Sequence, residues 1–305
     1  MRRSRSRSTS APLDITSDSM AAAGSHSDDL HHRGLAFDVG TLMARRRALQ
    51  VIGGAGLLAL VGCASSGSDA TTTTTTAAAA GAAGGASTTA RSSGTAGTAT
   101  GVIPEETAGP YPGDGSNGPD VLTESGVVRK DITTSIGSAS GTAEGVPLAI
   151  SLVVADAATG KARKGAAVYV WHCSREGGYS MYSPGVEDQN FLRGVQETGS
   201  DGTASFTSIF PGAYDGRWPH IHFEVYEDLA AATSGGQPIA TSQIALPEEA
   251  CDAVYATEGY EASVSNLART SLQTDMVFAD SYESELGTTT GSVDAGYSVT
   301  LPVGI

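Results

Sequence analysis

FLRGVQETGSDGTASFTSIFPGAYDGRWPHIHFEVY, residues 191–226, carries a hairpin signal, a Pro-Gly turn and a strand bearing two histidines. Ser200-Asp201-Gly202 is a tight-turn tripeptide, a hairpin signal. Thr203–Ile209 alternates polar and apolar residues, and Pro211-Gly212 then breaks the strand. His220–Tyr226 is extended again. Residues two apart in a strand share a face, so His220 and His222 project together while Ile221 and Phe223 face the other way. Two same-facing imidazoles with Tyr214 in the loop just upstream are candidates for three ligands of one metal.

Outward from this segment the same texture persists. Strands are expected at Leu148–Ala155, Ala167–His172, Thr203–Ile209, His220–Tyr226, Ile239–Leu246 and Tyr297–Val303, separated by Gly, Asp and Pro. Helical periodicity is weak, with one short helix expected at Ala262–Leu272. Short strands with turn signals between them predict an all-β fold: an antiparallel β-sandwich of immunoglobulin or transthyretin type, with long loops and little helix.

The chain has 305 residues, and its first hundred read differently. Residues 1–42 are polar and Arg/Ser/His-rich without periodicity, the composition of a disordered segment. Met1, Met20 and Met43 all stand as possible starts. Arg45-Arg46-Arg47 precedes an apolar run, Val51–Gly62, that is too short to span a bilayer as a permanent helix. The run ends in Leu60-Val61-Gly62-Cys63, which resembles a lipoprotein processing site with Cys63 as the lipidated residue. The arginine cluster ahead of a Gly/Ala-rich run resembles a twin-arginine export signal. An ordinary secretory signal with a chance cysteine is the plainer alternative. Residues 64–103 are Ala/Thr/Ser/Gly, the composition of a flexible tether. The expected organisation is therefore an extension and signal over 1–63, a linker over 64–103, and a folded domain over 104–305. That domain would be held to the outer face of a bacterial cytoplasmic membrane by a lipid alone.

Charge narrows the partners. Beyond residue 47, 10 Lys+Arg stand against 28 Asp+Glu. Nucleic acid needs a basic footprint, so it is excluded as a partner. Cys173 and Cys251 are the cysteines left after Cys63, and in an oxidising compartment they are a disulfide candidate. Such a bridge contributes ~4 kcal/mol in the chain-entropy model. Two separately buried thiols are the alternative.

A His-x-His strand is a weak signal by itself. Tyr214 and Tyr179 strengthen it, the latter following Val170-Trp171-His172 and a Gly177-Gly178 pair that permits close approach. Two phenols and two imidazoles, with no carboxylate, make a hard oxygen-rich set suited to a trivalent ion. Such an ion must pull the phenol pKa well below its usual ~10. Each residue also has a plainer role: packing for Tyr111, Tyr179 and Tyr214, a surface ion pair for Arg217, a structural contact for His172.

The spacing of Tyr179, Tyr214, His220 and His222 resembles that of the intradiol ring-cleavage dioxygenases, the protocatechuate and catechol dioxygenase family. The resemblance includes Thr198–Phe206, Pro211-Gly212-Ala213-Tyr214 and Arg217-Trp218-Pro219-His220-Ile221-His222-Phe223. Upstream, Glu106-Thr107-Ala108-Gly109-Pro110-Tyr111-Pro112 looks like the approach segment of the exported branch. The resemblance implies one Fe(III) per chain, held by Tyr179, Tyr214, His220 and His222. It implies cleavage of catechols with O2 to muconate-type diacids, with Tyr214 yielding its place as the diol binds. Arg217 would stabilise negative charge on the ring, and Gln243 and Tyr111 would line the substrate pocket. A homo-oligomer is compatible with it. Arg217-Trp218-Pro219 departs from the common Arg-Pro-Ala order, Pro112 replaces an aromatic, and Ile244-Ala245-Leu246 follows Gln243. These departures touch the pocket wall and leave the substrate open. The competing class is a non-catalytic sandwich that binds a polymer or protein at the cell surface; a zinc hydrolase is weaker, lacking a nearby carboxylate base.

Overall fold

The computed structural model describes residues 101–305; the signal, Cys63 and nearly all of the proposed linker lie outside the described residues. Alternation builds the first strand, β1 (Pro147–Ala155), which turns Leu148, Ile150, Leu152 and Val154 inward. It lies between β4 (Thr203–Ile209) and β8 (Gly296–Gly304), with β7 (Thr288–Ser292) on the far edge of that sheet. The second sheet has the order β3 (Arg193–Glu197), β2 (Ala167–Trp171), β5 (His220–Tyr226), β6 (Ala240–Ala245). Between the sheets, Ile150, Leu152, Phe206, Val299 and Leu301 pack against Val168, Val170, Ile221, Phe223 and Val225.

The all-β sandwich is as expected, with two differences in pairing. β3 and β4, which flank the Ser200-Asp201-Gly202 turn, enter different sheets and form no hairpin. β1 and β8 run parallel, Leu148 opposite Tyr297 through Ala155 opposite Gly304; every other pair is antiparallel. The long connection from β1 to β8 permits this, since parallel neighbours need no hairpin. The six expected strands are present within a residue or two at their ends. β3 and β7 were not anticipated: Arg-Gly-Val-Gln-Glu and Thr-Thr-Thr-Gly-Ser lack the apolar alternation that marks a strand. The expected helix is confined to α3 (Glu261–Leu267), and three further short helices appear: α1 (Leu229–Thr233), α2 (Glu248–Tyr255) and α4 (Tyr282–Glu285).

Every residue of β5 is buried, although its sequence alternates polar and apolar. The apolar set faces the other sheet. The polar set (His220, His222, Glu224) faces outward, yet loops cover it. Residues 103–113 form one such cover, a strap along the β6 edge. Glu106 N donates to Thr241 O (2.8 Å) and Thr241 N to Glu105 Oε1 (3.0 Å). The strap thereby caps an edge that would otherwise present open backbone groups. Among the described residues no helix is long and apolar enough to cross a membrane.

Candidate metal centre

The pairing register places four side chains in one row on the covered face. Arg193 opposes Trp171, Trp171 opposes His222, and His222 opposes Gln243, across β3, β2, β5 and β6. Trp171 stacks on the His222 ring with centroids 4.9 Å apart and planes 4° from parallel. His220 lies two residues along the same strand. Its Nδ1 donates to Trp218 O at 2.5 Å, which leaves the Nε2 lone pair directed into the site.

There the donor atoms meet. His220 Nε2 lies 3.1 Å from His222 Nε2 and 3.1 Å from Tyr214 Oη. Tyr179 completes the group, its ring centroid 5.9 Å from that of Tyr214 and 6.2 Å from that of His222. Tyr179 Oη and His222 Nδ1 are buried and without a hydrogen-bond partner among the described residues. An unpaired buried hydroxyl is costly, of order 1–3 kcal/mol, so its retention calls for a ligand. The two tyrosines come from different loops, which pass in contact at Gly212. A Cβ there would collide with Arg175 O and Gly177 N.

The electrostatics suit cation binding. Burial pushes His220 and His222 well below the usual imidazole range, helped for His220 by Arg217 and for His222 by His220. Both rings are therefore neutral and able to donate lone pairs. Burial, then Tyr214, holds the Tyr179 phenol well above its usual range, so a strong positive charge is needed to ionise it. His220 Nε2, His222 Nε2 and Tyr214 Oη are close enough together to hold one ion between them. No group of three or more His, Cys, Asp or Glu side chains able to hold a metal occurs among the described residues. A metal here depends on the phenols, and the donor set fits a hard trivalent cation.

Arg217 adjoins the imidazoles and is fully buried. Its Nε donates to Asp275 Oδ2 (2.9 Å) and its Nη2 to Gln243 Oε1 (2.7 Å), while Gln243 Nε2 donates to Thr107 O of the strap (2.9 Å). Asp275 Oδ2 also accepts from Trp218 N, and Oδ1 accepts from Val277 N and Phe278 N. Tyr111 lies 5.0 Å from Tyr179, ring to ring. Tyr111, Tyr179, Tyr214, Arg217, His220, His222 and Gln243 are thus gathered in one place. His172 points away and bonds Ser208 Oγ and Cys173 O. The expected disulfide is absent. Cys173 and Cys251 are separate buried thiols, directed at Gly212 O and Leu246 O respectively.

A dioxygenase family model matches residues 117–231, which span all four donors and Arg217. Chlorocatechol 1,2-dioxygenase of Rhodococcus opacus is 43% identical over 51 residues, 17% of this chain and 20% of that one. Catechol 1,2-dioxygenase 1 of Acinetobacter lwoffii is 32% identical over 90 residues, 23% and 29% of the two chains. The chain thus spans under a third of the length of these curated relatives. In three dimensions it resembles an intradiol ring-cleavage dioxygenase from Tetranychus urticae at 25% identity and a TM-score of 0.54. That match covers 67% of this chain and 94% of the other. These matches support the intradiol ring-cleavage dioxygenase family for this chain.

In this intradiol dioxygenase relative, sequence reasoning missed Asp275 and Arg193. Asp275 gives only a local turn signal, and its partner Arg217 is 58 positions away. Arg193 was detectable as a cation inside the buried Phe191-Leu192 run.

Burial raises Glu106 to about 8, aided by Glu285 and Asp280 and opposed by Arg217. Burial likewise raises Glu285 to about 7, opposed by hydrogen bonds from Ser281 and Ser242. Both carboxyls hold protons in the folded state at pH values where the unfolded chain has released them, so they make stability fall as pH rises toward 8. His172, lowered to about 4, and His220 and His222 act oppositely. They are neutral when folded and charged when unfolded, so their contribution rises with pH until about 6.5. The metal-free protein is therefore expected to melt highest near pH 6.5–7, with Tm dropping on both sides. Glu106→Gln should remove most of the loss between pH 7 and 8; an unchanged profile in thermal melts counts against the protonated pair.

Proposed function

We propose that the protein is an Fe(III)-dependent intradiol dioxygenase, which cleaves catechol-type aromatics with O2 to muconate-type diacids. The carrying observation is the approach of Tyr214 Oη, His220 Nε2 and His222 Nε2 at 3.1 Å, beside the buried, unpartnered Tyr179 Oη. When bound, a ferric ion supplies the charge that ionises phenols and withdraws electron density from the diol ring. Tyr179, His220 and His222 are the permanent ligands in this reading. Tyr214 is the half-buried phenol of the pair and accepts at Oη a proton from the entering diol. Arg217, fixed through Nε and Nη2, places a permanent positive charge where negative charge grows on the ring. Trp218 and Phe278 close the apolar wall beside His220 and keep water out. In balance, the bond between the two oxygenated carbons breaks, and both atoms of O2 enter the product as two carboxylic acids.

The experiment is reconstitution of the purified full chain with Fe(III). One iron per chain, a visible tyrosinate-to-iron absorption band and one O2 consumed per catechol are expected. A colourless protein that binds no iron and takes up no O2 overturns the proposal. The N-terminal arginines, the short apolar run and Cys63 support placing this activity outside the cytoplasm on a lipid anchor. Labelling of Cys63 by a radioactive fatty acid in expressing bacteria tests that placement, and a Cys63→Ala variant that still labels refutes it.

A further inference from the structure

We infer that Arg193 is a positioning residue, which sets where the Tyr179 phenol stands; this rests on the metal reading proposed above. Arg193 is 1% exposed, in the first position of β3. Its four hydrogen bonds all go to neutral acceptors: Nε to Ser180 Oγ (3.1 Å), Nη2 to Ser180 O (2.9 Å), Nη1 to Pro112 O (2.8 Å) and to Tyr169 Oη (3.3 Å). Burying a guanidinium against neutral groups is a poor way to fill space, since an apolar side chain of similar volume avoids its desolvation. What an apolar side chain cannot do is grip two separate backbone segments with one rigid planar fork.

The two segments gripped are those that frame Tyr179. Ser180, its chain neighbour, is held by both its carbonyl and its hydroxyl, and the hydroxyl donates onward to Phe191 O at 2.7 Å. Pro112 follows Tyr111, whose ring lies against Tyr179. Arg193 also heads the row Arg193, Trp171, His222, Gln243, so the sheet that carries one imidazole carries the fork as well. The backbone is strained at this junction: Met181 and Leu192 both have positive φ, 71° and 58°, uncommon for such side chains. Strain of this kind persists only where surrounding contacts over-determine it. The Arg193 fork supplies those contacts on both sides. Tyr179 Oη, with no hydrogen bond to orient it, owes its place to this clamp and to its packed ring.

The test compares wild type, Arg193→Lys and Ser180→Ala in the full chain. Two readouts are used: Fe(III) affinity by chelator competition, and amide hydrogen exchange of the metal-free protein. Arg193→Lys is expected to lower iron affinity by about 10–100-fold, the usual effect of losing an outer partner of a ligand. Exchange at residues 179–183 and at Gly113 should quicken, while β5 keeps its protection. Ser180→Ala, a smaller change that keeps the fold if the lysine variant does not, removes the hydroxyl's bonds to Arg193 Nε and Phe191 O and should cost roughly fivefold in affinity. Tyr260→Phe removes buried hydrogen bonds to Phe210 O and Val146 N on the far side of the core and should leave iron affinity unchanged. Iron affinity within twofold of wild type and unchanged exchange in both Arg193→Lys and Ser180→Ala overturn the inference. If wild type itself takes up no iron, the proposed function falls, and the exchange data still decide whether Arg193 holds the two segments.

Discussion

Tyr179→Phe yields a folded protein that no longer retains ferric iron, shows no visible band and cleaves no catechol. The expectation follows from the state of the hydroxyl that is removed. Tyr179 Oη is buried and unpartnered, so the metal-free fold gains nothing from it. Deleting an unsatisfied buried polar atom leaves stability unchanged or raises it by about 1 kcal/mol. The ring stays, and with it the packing against Tyr111 and Tyr214. Binding and folding therefore separate cleanly in this variant. With iron at about a hundred times its Kd, wild type gains roughly 2.7 kcal/mol of stability from the ligand. The variant should gain almost none of this, because its affinity loss exceeds the roughly 10–100-fold that outer partners cost. Thermal melts with and without Fe(III), beside iron stoichiometry after dialysis, measure both quantities. Full iron occupancy with an undiminished band would remove Tyr179 from the ligand set and reopen the fold as a binding module.

The parts of this site that were legible in the sequence are those that local pattern can carry. His220 and His222 share a face because a strand repeats every two residues, and β5 runs over the span its alternation predicts. The turns before β4 and before Tyr214 were marked by Asp201-Gly202 and Pro211-Gly212 for the same local reason, but the hairpin expected at the first does not form, because β3 and β4 enter different sheets. What stayed hidden required three dimensions. Asp275 meets Arg217 only after the chain has crossed β5, α1, β6, α2 and α3. The strap reaches Gln243 through Thr107 O, a backbone atom with no sequence signature. β3 went unassigned since its burial comes from covering segments that make Arg193 a core residue. The parallel β1/β8 pair joins two ends of the domain, a contact that no alternating pattern encodes. The cysteines misled for a related reason: an even count says nothing about distance, and each thiol is buried beside its own carbonyl.

Arg217→Met should retain iron and lose turnover, with kcat lower by about 10²–10³ because one fixed charge at the reacting ring is gone. The side chain contacts Asp275 and Gln243 and is not among the proposed ligands, so metal binding and catalysis part here in the opposite sense from Tyr179→Phe. Stability is the complication. Arg217 and Asp275 are both wholly buried, and removing one partner of such a pair costs about 3–5 kcal/mol. The cost should fall toward the lower end, since three backbone N–H groups, from Trp218, Val277 and Phe278, still support the Asp275 carboxylate. Arg217→Lys resolves the ambiguity. An ammonium restores the charge opposite Asp275 but cannot serve Asp275 and Gln243 together from one planar fork. Stability should therefore recover further than kcat does, and Gln243, released from Nη2, should let KM rise as well. Steady-state kinetics normalised to bound iron, alongside denaturant melts, separate the two effects. If Arg217→Met turns over like wild type per iron bound, the guanidinium is a structural pin for the loop at Asp275 and the ring charge is stabilised by something else.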